Sequence, residues 1–207
     1  MKGSAAAGIP LLWSNIVLPR LALGMRGRTV ANAAFATGYG ITFGGRPNWG
    51  SGRGLRWGAG AAAVVVAGYG VALSIPALRS RLAGFADRAP EAPLAEWAVV
   101  HIPIGTVYSE ELIFRGTLDP LLDDVAGSVG KWLGPLIFGL WHIHPARSAG
   151  DNVPASVAAT AAGGLVLSWL RRRSGSATAP ALLHLALNDG GALAPAAARA
   201  MLRRPVE

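Results

Sequence analysis

The segment WGAGAAAVVVAGYGVALSIPAL, residues 57–78, carries no charged side chain over 22 consecutive positions. An α-helix rises about 1.5 Å per residue, so a helix of this length can cross a hydrocarbon layer about 30 Å thick. Arg56 precedes the segment and Arg79 follows it, which puts a charged group at each end. The segment therefore predicts a membrane-spanning helix.

Further apolar segments lie on both sides of this one. They predict an all-α fold, a polytopic transmembrane helix bundle of about six to eight spans in a multi-pass integral membrane protein. The range is wide because two of the segments are short or rich in glycine. The additional candidate spans are residues 3–19, 29–45, 94–113, 132–146, 153–170 and 177–198.

Composition and charge agree with this class of protein. Hydrophobic residues make up 52% of the chain and charged residues only 14%, whereas soluble domains are about one quarter charged. The net charge of +8 comes from Lys and Arg scattered between apolar runs, not gathered in one stripe, which favours membrane lipid over nucleic acid as partner. The chain has no cysteine, so disulfides, thiolate metal ligands and a cysteine nucleophile are excluded.

Small residues cluster inside two of the apolar segments, at residues 58–63 and 158–164. Lipid gives little hydrophobic drive for helix association, so small residues that allow close backbone approach favour a tight bundle. A general bias of the composition toward alanine and glycine would produce the same runs.

Several ionisable side chains lie inside or at the ends of the apolar segments. A charge at the bilayer centre costs a few kcal/mol on insertion scales, so each such group requires a partner or a function. The groups concerned are Glu96, Glu110, Glu111, Arg115, His142, His144, His184 and Asp189.

Two adjacent carboxylates occur in the sequence SEELIFR, residues 109–115. If this stretch is helical, Glu111 and Arg115 are four residues apart on one face and can form an ion pair, with the acid in the favoured N-terminal position. Glu110 is turned about 100° away from Glu111, so this arginine does not pair with it. Either both acids mark the end of a span at the water interface, or Glu110 belongs to a chemical site.

Two histidines lie in the sequence FGLWHIHP, residues 138–145. Because they are two positions apart, a continuous helix would direct them to nearly opposite sides. Only one of the two, His142 or His144, is then expected to face a shared interior site. A single histidine at the end of a span is also a common interfacial or hydrogen-bonded residue.

A further polar pair lies in the sequence PALLHLALN, residues 180–188. His184 and Asn188 are four residues apart, so one helix face presents an imidazole and an amide together. The residues between them are all apolar. The pair is either part of a functional site or a hydrogen-bonding contact between helices.

Taken in chain order, the three motifs are Glu-Glu-x-x-x-Arg at 110–115, Phe-x-x-x-His at 138–142 and His-x-x-x-Asn at 184–188. This ordered set on successive apolar segments resembles the CAAX prenyl endopeptidase and bacteriocin-processing family of intramembrane proteases, also called the CPBP or Abi family. The resemblance implies a single integral membrane domain, 1–207, with residues 92–198 as its catalytic core. It also implies location in the cytoplasmic membrane of a bacterium.

The resemblance implies a role for each motif residue. Glu110 would be the general base that activates a water molecule, and His142 would share that water. His184 and Asn188 would stabilise the developing oxyanion or help to hold the water. The other motif residues would have supporting roles: Glu111 and Arg115 as a structural ion pair, and Phe138 within the second motif.

Peptide-bond hydrolysis fits these residue types because it needs a base for water and donors for the tetrahedral oxygen. The implied substrate is a peptide or a membrane-associated protein. A divalent metal such as zinc is compatible with Glu110, His142 and His184, since three protein ligands and water hold a catalytic zinc, and the family is commonly classed as metalloendopeptidases. The helical His-Glu-x-x-His signature is absent, and a metal-free glutamate mechanism fits the same residues, so both remain open.

Two other functions remain open: a catalytically silent membrane immunity factor or scaffold of the same fold, and a small proton-coupled transporter. A transporter would also need intramembrane acids and histidines, although no inverted repeat is visible in the sequence. The protease hypothesis makes a geometric prediction in which Glu96 and His101 need not take part. Four side chains should lie within hydrogen-bonding or one-water reach of each other: Glu110, His142, His184 and Asn188.

Overall fold

The computed structural model describes residues 2–88 and 92–203, and this part of the chain is helical and contains no β-strand. The ends of the predicted domain 1–207, and residues 89–91, lie outside the described residues. Short connections join the helices. In chain order these are α1 (Lys2–Leu12, Trp13–Val17 and Leu18–Arg20), α2 (Met25–Phe43), α3 (Gly52–Ser74), α4 (Pro76–Ala83), α5 (Leu94–Glu96, Trp97–Tyr108, Glu111–Leu118 and Asp119–Ala126, joined without a break), α6 (Gly130–Trp141), α7 (Ile143–Ala149), α8 (Val153–Ser174) and α9 (Thr178–Arg203).

Two of these helices, α3 and α8, combine the length and apolar composition needed to cross a bilayer. Helix α3 ends at Ser74, four residues before the end of the predicted span 57–78, because Ile75 takes an extended conformation ahead of Pro76, where a helical residue would clash with the proline ring. Val64 on α3 is 74% exposed, as expected for a lipid-facing surface. The all-helical class is confirmed, and the number of six to eight spans stays a prediction.

The small residues allow close helix contacts at some positions and not at others. A Cβ atom at Gly58 of α3 would lie 2.9 Å from the Ala179 Cα of α9, and one at Gly139 of α6 would lie 2.9 Å from the Ala161 Cβ of α8. Real Cβ atoms do not approach this closely, so these contacts require glycine. At Gly60 the space is open. Tight packing therefore explains part of each small-residue run.

Helix α5 supplies much of the buried core, since every residue of Glu111–Leu118 is buried. Two stretches of α5, Trp97–Tyr108 and Glu111–Leu118, have the wide turns of a π-helix, and the hydroxyl of Thr117 bonds the carbonyl of Leu112 five residues earlier. Glu110 lies between the two wide stretches. Wide turns of this kind occur frequently at functional sites.

Candidate active site

Three helical regions bring an acid and two imidazoles together. Glu110 comes from the middle of α5, and His184 comes from the first half of α9. His142 lies at the break between α6 and α7, where its backbone (φ −90°, ψ 6°) interrupts the helix. Glu110, His142 and His184 are far apart in the chain, and they meet beside helix α5.

The carboxylate of Glu110 is buried, with 7% of the residue exposed. Its Oε1 atom accepts a hydrogen bond of 3.1 Å from the indole nitrogen of Trp141. Its Oε2 atom has no hydrogen-bond partner among the described residues. This second oxygen lies 3.8 Å from His184 Nε2 and 4.0 Å from His142 Nε2.

The neighbours of His142 determine which of its nitrogens carries a proton. Its Nδ1 atom lies 2.8 Å from the carbonyl oxygen of Phe138, and a carbonyl can only accept a hydrogen bond. Nδ1 is therefore the donor, and in the neutral ring Nε2 has a free lone pair. That lone pair is on the atom nearest Glu110.

His184 is fixed in the same tautomer by a carboxylate. Its Nδ1 atom lies 2.7 Å from Glu111 Oε1, an oxygen that also accepts a bond of 3.3 Å from Arg115. The side chains of Glu111 and Arg115 are fully buried. The structure thus contains the predicted Glu111–Arg115 ion pair and extends it to His184, which the sequence analysis did not predict.

The three atoms that converge at the site are all hydrogen-bond acceptors when the histidines are neutral. Glu110 Oε2 and the two Nε2 atoms cannot bond one another, and their separations exceed the length of a hydrogen bond. A water molecule placed among them can donate to two of the three, and a proton on one of the groups turns that group into a donor. The arrangement therefore suits a water molecule, or an extra proton on one of the three groups.

Phe138 separates the buried cation from the two imidazoles. The guanidinium carbon of Arg115 lies 4.1 Å from the centre of the Phe138 ring, a cation–π contact. The same ring meets His142 edge to face, with centroids 4.8 Å apart, and lies 6.2 Å from the His184 ring. The first residue of the second motif thus packs directly against its histidine.

Asn188 makes no direct hydrogen bond to the Glu110 carboxylate or to either imidazole among the described residues, and its place within one-water reach of them stays a prediction. Its amide nitrogen donates to the carbonyl oxygen of His184, one turn earlier in the same helix, at 3.0 Å. Within the described chain its hydrogen bonds include neither Glu110 nor an imidazole ring. The four-residue spacing that places two side chains on one face also allows the amide to bond the helix backbone, and that contact is the one formed.

A cavity of about 710 Å³ leads to Glu110. It is lined by Trp141, His142 and His144 and, on the other side, by residues of α1 and α2 such as Asn32. Of His142 and His144, the first lies 4.0 Å from Glu110, while the second lies 3.1 Å from Ser148. Both histidines nevertheless line one cavity, since the helix is interrupted at His142. The expected opposite orientation assumed an unbroken helix.

The candidate metal ligands were Glu110, His142 and His184. Within residues 2–88 and 92–203, no group of three or more acidic or histidine side chains has a geometry that could hold a metal ion. Ligand atoms around a tetrahedral zinc are about 3.3–3.4 Å apart for bonds of about 2.0–2.1 Å, which is shorter than the 3.8 and 4.0 Å separations here. The side chains as placed do not form a metal centre.

Trp141 is a site residue that the sequence analysis missed. Its indole group supplies the hydrogen bond to Glu110, and 3% of the residue is exposed. The available signal was its position directly before His142 at the end of an apolar segment. A buried tryptophan usually finds a partner for its N–H group, so an acid nearby was a candidate.

The fold and the site define a helical protein with a buried acid–histidine cluster beside an open cavity. Residues 92–189 match the family model described as Type II CAAX prenyl endopeptidase Rce1-like. This segment, a little under half of the chain, contains all three motifs. The match supports the resemblance to the CAAX prenyl endopeptidase family over this segment, and that family is membrane-embedded. No match was found among curated proteins or among solved structures.

Proposed function

We propose that this protein is an intramembrane endopeptidase in which Glu110 activates water to hydrolyse a peptide bond. The observation that carries the proposal is the position of Glu110 Oε2, which lies without a hydrogen-bond partner in the described chain and faces two imidazole nitrogens. The family match supports a protease at the level of the family. The mechanism, in which Glu110 and the two histidines act on water, is our proposal beyond the family match.

In the proposed reaction, water occupies the space between Glu110 Oε2 and the two Nε2 atoms. Glu110 takes one proton as the water oxygen bonds to the carbonyl carbon of the substrate, forming a tetrahedral intermediate. The C–N bond then breaks, and the proton held by Glu110 passes to the leaving amine. The products are one new carboxyl group and one new amino group.

The two histidines have different environments and therefore different proposed roles. His142 bonds a neutral carbonyl through Nδ1, so its Nε2 lone pair can accept the second hydrogen of the water. His184 bonds the Glu111 carboxylate through Nδ1, which fixes the orientation of its ring. Protonated His184 carries an N–H group at Nε2 and can donate to the oxyanion of the intermediate.

The setting of the reaction is also part of the proposal. We place the site in a multi-pass protein of a bacterial cytoplasmic membrane with six to eight spans, where a peptide or membrane-associated protein substrate enters through the cavity beside Glu110. Polar groups at such depth must face a water-filled interior, because lipid cannot satisfy them. Asn32 and His144 are half-buried polar residues in the lining of this cavity, so water can reach Glu110 along polar side chains.

The test compares membrane-protein fragments from cells that carry the wild type, Glu110→Gln or Glu96→Gln. Glutamine at 110 keeps the shape of the side chain and removes the base, so fragment formation should fall by about 10²- to 10⁴-fold. Glu96→Gln is the matched control, because Glu96 lies on the same helix and contacts neither imidazole of the site. Its fragments should match those of the wild type.

Fragments that persist equally in all three strains, with equal amounts of inserted protein, would contradict the proposal. The catalytically silent scaffold or immunity factor would then be the better account. Loss of fragments in both variants would point to a general requirement for acidic residues on α5 and would contradict the specific role of Glu110.

A further inference from the structure

Trp141 makes the one hydrogen bond that the Glu110 side chain forms within the described chain. The indole N–H donates to Oε1, while Oε2 is the oxygen that faces His142 and His184. The two oxygens of the carboxylate are thus distinguished by their neighbours. Oε1 accepts a hydrogen bond from a neutral donor, and Oε2 remains available to act as the base.

The indole ring is itself held firmly. It packs edge to face against Phe114 of α5, with ring centroids 5.6 Å apart, and the Trp141 carbonyl oxygen accepts a 2.7 Å bond from the hydroxyl of Ser14. Trp141 is the last residue of α6, and His142 follows it at the break. A single helix end therefore presents a donor to one carboxylate oxygen and an acceptor toward the other.

A carboxylate without such a donor can rotate about its last carbon–carbon bond, because that torsion has a broad energy minimum. Rotation would move Oε2 away from the two imidazoles. A donor fixed on Oε1 prevents this, and a hydrogen bond to a charged acceptor is about twice as strong as one between neutral groups. The contact therefore preorganises the base.

We propose that Trp141 is a positioning residue that sets the orientation of the Glu110 carboxylate. Its kinetic consequence rests on the proposed peptidase function, whereas the contact itself does not. Loss of the N–H donor should lower kcat by about 10- to 100-fold, the range expected for one charge-assisted hydrogen bond, and leave KM nearly unchanged.

Two variants separate the hydrogen bond from the packing. Trp141→Phe removes the donor together with part of the ring, whereas Trp141→benzothienylalanine keeps the size of the ring and replaces only the N–H group with sulfur. Trp132→Phe is the matched control on the same helix, since Trp132 is 58% exposed and does not contact Glu110. Both changes at 141 should lower kcat, and the change at 132 should not.

A spectroscopic measurement tests the contact without any substrate. The indole ¹H–¹⁵N signal of Trp141 is assigned by its absence in Trp141→Phe and is then compared between the wild type and Glu110→Gln. Replacing a charged acceptor with a neutral amide weakens the bond, so the proton signal should move upfield, while the Trp132 signal should stay in place.

An unchanged Trp141 signal in Glu110→Gln would overturn the proposal, and so would a full kcat in the benzothienylalanine variant. A wild-type protein that cleaves nothing, but whose Trp141 signal still responds to Glu110→Gln, would retain the positioning contact and contradict the peptidase function. The two failures are therefore distinguishable.

Discussion

Helix α5 supplies the glutamate of two acid–histidine clusters, and the clusters differ in how completely their polar atoms are hydrogen-bonded. In the first, Arg26 donates to both oxygens of Glu96, at 2.6 and 2.9 Å. His101 bonds Glu96 through Nε2 at 3.1 Å and Thr29 through Nδ1 at 2.7 Å. Each of these atoms has a partner within the cluster.

The second cluster lies around Glu110, which follows Glu96 on the same helix α5. Here the Nδ1 atoms of His142 and His184 are bonded, but both Nε2 atoms face Glu110 Oε2 at distances too long for a hydrogen bond. Among the residues that the structure describes, this oxygen has no hydrogen-bond partner. A buried polar atom without a partner costs about 1–3 kcal/mol. Glu110 Oε2 is such an atom within the described residues, and the Glu110 side chain lies next to a cavity from which a water molecule can reach it.

The comparison teaches that residue type alone does not separate a structural histidine from a reactive one. His101 is 5% exposed and His184 is 7% exposed, so burial does not separate them either. The useful criterion is which nitrogen remains available after the local bonds are formed. A fully paired network holds helices together, whereas a partly paired one can take up a water or a proton.

The largest effect on stability should come from the buried ion pair beside the second cluster. Glu111→Gln leaves the Arg115 charge buried without its counter-charge, which should lower the free energy of unfolding by about 3–5 kcal/mol. Glu96→Gln should lower it far less, since its partner Arg26 is 80% exposed and solvent screens the pair. Denaturant unfolding of the purified protein in detergent measures both values.

An equal decrease in the free energy of unfolding in Glu111→Gln and Glu96→Gln would contradict the difference in stability proposed for the two clusters. The control for secondary effects is the helical content before unfolding, which should be the same in both variants and in the wild type. A small loss for Glu111→Gln would mean that water reaches Arg115.

The next effect is kinetic and separates the two histidines. His184→Ala removes the proposed oxyanion donor and should lower the cleavage rate by about 10²- to 10³-fold. His101→Ala removes an equally buried imidazole whose hydrogen bonds in the described part of the chain are to Thr29 and Glu96. The rate of this variant per folded protein should stay within a few-fold of the wild type. Initial rates on one peptide substrate, normalised to folded protein, measure the difference. A similar loss in both variants would contradict the assignment.

The smallest effect concerns Asp119, an acid of α5 beyond the predicted span 94–113. Burial raises the pKa of Asp119 above its ordinary value of 3.8, although the charge of Arg115 acts in the opposite direction. The unfolded carboxyl group therefore loses its proton at a lower pH than the folded one. This group makes the free energy of unfolding decrease as the pH rises from 3.8 to the folded pKa.

Asp119→Asn should remove this contribution, so the decrease in melting temperature as the pH rises above 3.8 should become smaller than in the wild type. Asp123→Asn is the control, because Asp123 is partly exposed and bonded by Arg172. A wild-type pH dependence that Asp119→Asn leaves intact would assign that dependence to another group.

The sequence predicted the helical class and the meeting of Glu110 with two histidines. Apolar runs of span length predict helices whatever their packing, and the motif order predicts which side chains share a site. The Glu111–Arg115 pair was also predictable, since it depends only on a four-residue spacing along one helix.

Other features depend on geometry that the one-dimensional pattern does not contain. The break at His142 places two histidines beside one cavity, and a continuous helix would have separated them. Asn188 bonds its own backbone, an alternative that the same four-residue spacing allows. The contact of Trp141 with Glu110 depends on how α6 packs against α5, which no local signal in the sequence determines.

The central claim is that Glu110 activates a water molecule whose oxygen enters the product. The most direct measurement is cleavage in water enriched with ¹⁸O, followed by mass spectrometry of the N-terminal fragments, which carry the new carboxyl group. The account predicts one ¹⁸O atom in each new carboxyl group with the wild type and with Glu96→Gln, and no such fragments with Glu110→Gln. Labelled fragments formed at the wild-type rate by Glu110→Gln would contradict it.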